Sequence, residues 1–181
     1  MLEILKARLR NGQLTSRAFS MESVETPDIQ EHPHIQEIDA ASRKALGRSL
    51  LIRHLDAGSC NAEEAEILAL SGPFYDMSRF GLEITASPRH ADILTVSGPV
   101  TRQLLVALQK TYEAMPNPKI VVAIGDTACT GAPFEKNYAC LGRVDQFLPV
   151  DFYIHGDPPS PKEILEGLLQ CKKLLLEAVE K

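Results

Sequence analysis

The stretch that decides the fold runs Ser49-Leu50-Leu51-Ile52-Arg53-His54-Leu55, then Asp56-Ala57-Gly58-Ser59-Cys60-Asn61, then Ala62-Glu63-Glu64-Ala65-Glu66-Ile67-Leu68-Ala69-Leu70. Its first part holds Leu50, Leu51, Ile52 and Leu55 in a run short enough for a buried strand, and its last part is built from Ala, Glu and Leu, which favour helix. The glycine-bearing segment between them therefore joins a strand to a helix. Downstream, residues 91–96 read as a second strand, and residues 101–115 as an amphipathic helix with Leu104, Leu105, Leu108 and Tyr112 at three- and four-residue spacings. Pro116 and Pro118 stop that helix. Residues 119–124 form an apolar, β-branched strand, residues 147–154 a fourth, and residues from 161 onward a last helix with Ser160 as N-cap and Pro161 at its first position. Strands alternating with helices predict an α/β domain over residues 48–181, three layers deep, with a mostly parallel four-stranded sheet covered on both faces.

Upstream of this unit the composition changes. Residues 1–20 place Leu2, Ile4, Leu5 and Leu9 among Lys6, Arg8 and Arg10, the pattern of a short amphipathic arm. In residues 21–40 the acids Glu22, Glu25, Asp28, Glu31, Glu37 and Asp39 accompany Pro27 and Pro33, which disfavours regular structure and reads as an extended linker. Residues 1–47 are thus expected to be an N-terminal arm and acidic linker. His32 and His34 flank a proline with no cysteine nearby and read as solvated or partner-facing.

The chain of 181 residues fits one domain with an appended arm, and 44% hydrophobic residues are enough for a packed core. A net charge of -5 lacks the basic excess of nucleic-acid modules, so nucleic acid is set aside. There is no apolar run of about 18 residues or more, so no transmembrane span is expected, and the N-terminus lacks the apolar core of a secretory signal. Cysteines 60, 129, 140 and 171 are unevenly spaced and form no C-x-x-C, which argues against a disulfide framework; Cys140 and Cys171 read as structural.

In open parallel sheets the site lies beyond the carboxyl ends of the strands. Three glycine-bearing loops fall there: the one carrying Asp56 to Glu66, Gly125-Asp126-Thr127-Ala128-Cys129-Thr130-Gly131, and Gly156-Asp157-Pro158-Pro159. Neither G-x-G-x-x-G nor a G-x-x-x-x-G-K-[ST] phosphate loop is present. Cysteine catalysis by Cys60 or Cys129 lacks a positioned base, because His54, the nearest histidine, lies on the expected first strand.

Several ordered motifs resemble one family: Leu55-Asp56-Ala57-Gly58-Ser59-Cys60-Asn61, Tyr75-Asp76-Met77-Ser78-Arg79-Phe80-Gly81, Ala86-Ser87-Pro88-Arg89-His90-Ala91-Asp92, Ser97-Gly98-Pro99-Val100-Thr101, and Pro149-Val150-Asp151 running into Gly156-Asp157-Pro158-Pro159. The family is the 20 kDa or PSST-type subunit of respiratory complex I and the small subunit of nickel-iron hydrogenases. The nearest resemblance is to energy-converting hydrogenases and formate hydrogenlyases. It implies a flavodoxin-like domain holding a four-iron four-sulfur cluster beside a larger catalytic subunit. In complex I-like enzymes that cluster passes electrons to quinone; in hydrogenases it exchanges them with a nickel-iron centre.

Four cysteine thiolates hold the cluster in the family, and soft sulfur suits its iron. Here the resemblance leaves Cys60 as the retained ligand position, with Glu63, Thr127 and Asp157 at the substituted ones. Cys129 is a candidate substitute two residues from Thr127, although such a shift along a strand moves a side chain by about 6–7 Å. Glu63 and Asp157 are expected to meet near one point, where a hard cation such as Mg2+ or Ca2+ is conceivable.

By the same resemblance, Tyr75, Met77, Arg79, Phe80 and Arg89 face a partner or quinone, with a core role equally open for Tyr75, Met77 and Phe80 and exposed salt bridges the alternative for Arg79 and Arg89; Asp56 and Glu66 are proton-path candidates, with helix-cap or surface roles equally open. The implied partners are a large subunit of the hydrogenase or 49 kDa type, a ferredoxin-like subunit and a membrane arm. The expected role is structural docking on the cytoplasmic face of the cell membrane, with no conventional cluster and no catalysis by this chain alone. The alternative is an electron carrier with a cluster or other metal on Cys60 plus Glu63, Asp157 or Cys129.

Overall fold

In a computed structural model, residues 47–134 and 137–179 are described, with backbone alone for 174–179. Five short runs of mainly apolar residues pair side by side. They are β1 (Leu50–Asp56), β2 (Leu82–Ile84), β3 (Ile93–Ser97), β5 (Ile120–Ile124) and β7 (Phe152–Ile154), in the order β2-β1-β3-β5-β7. All four pairings are parallel, with Ile52 opposite Ile93 and Ile93 opposite Ile120. Among these five, the order is that of flavodoxin-like sheets, whose switch point lies between the first and third strands. A separate antiparallel pair joins β4 (Val100–Thr101) to β6 (Cys140–Gly142).

Side chains alternate between the two faces of the sheet. Leu55, Leu94, Val96, Val121 and Ala123 pack on one face with Leu108 of helix α2 (Leu105–Ala114) and with Met115. Ile52, Thr95 and Ile124 meet Ile67 and Leu70 of α1 (Ala62–Leu70), and Ile164 and Leu168 of α4 (Pro161–Val179), on the other. Each fully buried Leu, Ile or Val contributes about 1.5–3 kcal/mol. The close approach of α4 to β7 needs Gly167, because a Cβ there would lie 2.6 Å from Ile154 Cδ1. At the start of α4, Glu163 accepts from the Ser160 amide at 2.8 Å and hydroxyl at 2.7 Å, a capping box that holds its carboxyl below the usual range.

The parallel three-layer class stands, and the sheet has five strands rather than the four expected. The additional strand, β2, is three residues long at the sheet edge with Glu83 and Ile84 exposed, so it carries no periodic signal. The strand expected over 147–154 shrinks to Phe152–Ile154, with a 3-10 turn at Val144–Gln146 before it. The helix expected from residue 101 begins at Leu105, because Thr101 instead pairs in β4. The arm and linker expected before residue 47, with His32 and His34, lie outside the described residues.

Candidate functional site

The loop after β1 sits at the switch point. Asp56 Oδ1 accepts hydrogen bonds from the amides of Gly58 and Ser59, both at 2.7 Å, and closes the loop on itself. Gly98 lets the next crossing pass beneath: its φ is +73°, and a Cβ there would lie 2.2 Å from the Ser59 nitrogen. Cys60 is exposed at the loop tip, and Asn61, with φ 70°, turns the chain into α1. Glu63 and Glu64 then occupy the first turn of that helix, where acids oppose the positive end of its dipole.

These neighbouring acids have different surroundings. Glu63 is 1% exposed; its Oε1 accepts from Thr127 Oγ1 at 3.4 Å, and its Oε2 is buried without a hydrogen-bond partner. The side chain lies over Gly125, whose φ is +91° and whose added Cβ would come within 2.5 Å of Glu63 Oε1. Glu64 turns toward the sheet and accepts from Ser59 Oγ at 2.5 Å and from Ser97 Oγ, with His54 Nε2 at 3.2 Å. The other ring nitrogen of His54 lies 3.0 Å from Thr95 Oγ1. Burial pushes His54 below its ordinary value, against the pull of Glu64. Burial also raises the Glu64 carboxyl, but the hydrogen bonds from Ser59, Ser97 and His54 outweigh it and leave it below the usual range.

The third and last loops are joined through Asp126. Its amide donates to Gly156 O at 2.8 Å, and its Oδ1 accepts from the Gly156 amide at 3.1 Å, with His155 Nδ1 at 3.2 Å. Thr127 follows on the short helix α3 (Asp126–Thr130). The substituted positions Glu63 and Thr127 are therefore brought together, while Glu63 and Asp157 differ in burial. Glu63 is held inside by the first turn of α1, whereas Asp157 is exposed on the turn after β7. Cys129 faces the core, its thiol donating to the carbonyls of Ala123 and Ile154 at 3.7 Å each, and burial pushes it up to about 12. Among the described residues, no three His, Cys, Asp or Glu side chains gather closely enough to hold a metal ion.

The partner-side candidates lie at the opposite end of the sheet, since Tyr75 to Phe80 lead into β2 and Arg89 leads into β3. Met77 and Phe80 are buried, Arg79 pairs with Asp76 at 3.4 Å and stacks on Phe80, and Arg89 is exposed, as is Phe74 beside Tyr75. Beneath this segment is Lys172, 0% exposed, whose Nζ donates to Phe80 O at 2.5 Å. Glu66 is half-buried on α1, and Asp56 serves its own loop. Sequence reasoning missed Lys172 and the cluster of His54, Glu64, Thr95 and Ser97. The latter carried a signal, since Thr95 and Ser97 are polar at alternate positions of an otherwise apolar strand.

Residues 60–171 match the family described as NADH ubiquinone oxidoreductase, 20 Kd subunit. The chain belongs to this family. Among its relatives, it is 39% identical over 150 residues to a probable membrane-bound hydrogenase subunit mbhJ of Pyrococcus furiosus, covering 83% of this chain and 90% of that one. It is 44% identical over 145 residues to an NADH-quinone oxidoreductase subunit of Heliobacterium modesticaldum, covering 80% and 81%. Its fold matches a chain of the membrane-bound sulfane sulfur reductase, an archaeal respiratory membrane complex, with TM-score 0.63, 31% identity and coverage of 75% and 73%. The family's four-thiolate cluster does not fit the donors present here. The four positions that the resemblance assigns to ligands hold one thiol, one hydroxyl and two carboxylates, and Glu63 lies packed over Gly125 with Thr127 bonded to it.

Proposed function

We propose that this chain is the small subunit of a membrane-associated oxidoreductase assembly of the complex I or energy-converting hydrogenase type. Its role is to dock and support a larger subunit rather than to carry electrons through a four-iron four-sulfur cluster. The observation that carries this reading is Glu63: at a position where the resemblance expects a thiolate, a carboxylate is buried and hydrogen-bonded to the side chain at the next expected position, Thr127. Cys129, with its thiol directed to core carbonyls, offers no ready replacement. The partners are a large subunit of the hydrogenase or 49 kDa type, a ferredoxin-like subunit and a membrane arm, with this chain peripheral on the cytoplasmic face. No helix among the described residues is long and apolar enough to cross a membrane.

Iron and acid-labile sulfide, measured on protein purified without oxygen and after iron-sulfur reconstitution, test the reading. The expected outcome is a folded protein with neither, which captures its larger subunit on co-expression. About four irons per chain with a cluster absorption spectrum would overturn it and return the chain to the electron path.

A further inference from the structure

In the family resemblance, one cluster is shared by loops that follow three different strands, so it also ties those loops together. Here the same loops are tied by side chains. Glu64 joins the first loop to the end of β3 through Ser59 and Ser97. Glu63, on the adjacent position of α1, joins that helix to the third loop through Thr127. Asp126, next to Thr127, joins the third loop to the last through both the amide and the carbonyl of Gly156. The ties form a continuous path across the carboxyl ends of β3, β1, β5 and β7, and Gly125 leaves the room that the Glu63 side chain fills.

We infer that Glu63, Glu64 and Asp126 form a hydrogen-bonded clasp that takes over the mechanical part of the cluster's role, holding the three loops in one surface for the larger subunit without iron. This rests on the docking function proposed above. Glu63 is a positioning residue in it: it acts through Thr127 and the loop beyond, and is itself too buried to touch a partner. The carboxylate does what an apolar residue of the same size cannot, because it accepts a hydrogen bond from a side chain 64 residues away.

The test compares Glu63→Ala, Glu63→Gln and Thr127→Val in the full chain. Gln keeps an acceptor for Thr127, and Val keeps the shape of Thr127 while removing its hydroxyl, which covers the case in which the alanine variant fails to fold. Amide hydrogen exchange is expected to quicken about tenfold or more across residues 125–131 and 155–157 in Glu63→Ala and Thr127→Val, and to stay near wild type in Glu63→Gln. Capture of the co-expressed larger subunit is expected to weaken by a similar factor in the first two variants, at unchanged iron content. Wild-type exchange in both loops would overturn the clasp, and so would loosened loops with undiminished capture. A wild-type chain that captures no larger subunit would sink the docking reading instead, while the exchange rates still decide whether the clasp exists.

Discussion

At the amino ends of the strands Asp92 meets a guanidinium; at the carboxyl ends the acids meet hydroxyls, amides and histidines. Asp92, just before β3, takes both guanidinium nitrogens of Arg48 at 2.6 and 2.8 Å and the Leu51 amide at 2.9 Å. Lys172 is buried at that same end on the carbonyl of Phe80. At the other end, Glu63, Glu64 and Asp126 have Thr127, Ser59, Ser97, His54, His155 and the Gly156 amide as partners. Hydroxyl and amide donors satisfy a carboxylate without neutralising it. At the amino end Asp92 thus has a guanidinium against it, whereas at the carboxyl end Glu63 has a single donor, Thr127, and Glu64 and Asp126 share several.

The largest effect is expected at the amino end. Lys172→Ala removes a fully buried side chain and the donor it offers to the Phe80 carbonyl, and should cost about 3 kcal/mol in denaturant unfolding. Lys172→Met, which keeps most of the volume, should recover a large part of that; equal losses in both variants would show that the polar contacts of the ammonium, not the packing, secure this end.

At the carboxyl end, Glu63→Ala should cost about 1–2 kcal/mol, since one long hydrogen bond and the packing of a buried side chain are lost, while a buried carboxyl oxygen without a partner is removed. Asp157→Ala should leave the unfolding midpoint unchanged, because Asp157 is exposed. A matching loss at both positions would mean that Asp157 shares the interior site after all.

The smallest effect is a pH dependence. His54 and Glu64 both have native values below their ordinary ones, so each contributes stability that is present at neutral pH and lost on acidification. For His54 the loss begins as pH falls below its ordinary 6.5 and continues down through its depressed native value; for Glu64 it begins below 4.5. His54→Gln should flatten the upper part of that curve and Glu64→Gln the lower part, as read by thermal unfolding between about pH 7 and about pH 3. A wild-type curve flat over the whole range would remove the distinction between the two ends of the sheet.

Much of this was legible in the chain. The run from Leu50 to Leu70 announced its strand, loop and helix, and the helix bounds are the expected ones, because apolar alternation and Ala-Leu-Glu content are local properties. The loops that matter were also legible, since a parallel sheet sends every strand's successor loop to the same end. What did not show was the edge strand β2, too short to carry a period, and the inward turn of Cys129, set by carbonyls of β5 and β7. Nor did the sequence separate Tyr75 to Phe80 from the cluster positions; only the strand order puts them at opposite ends.

The sequence by itself determined the α/β class and the family, because composition, spacing and motif order are written along the chain, and the family resemblance places Glu63, Thr127 and Asp157 where thiolates are expected. The tertiary structure decided what the substitutions became. Glu63 and Glu64 are adjacent and chemically identical, yet one is buried on Thr127 and the other is bound to Ser59, Ser97 and His54. Helical geometry turns consecutive side chains about 100° apart, and the groups that receive them come from strands and loops far away in sequence.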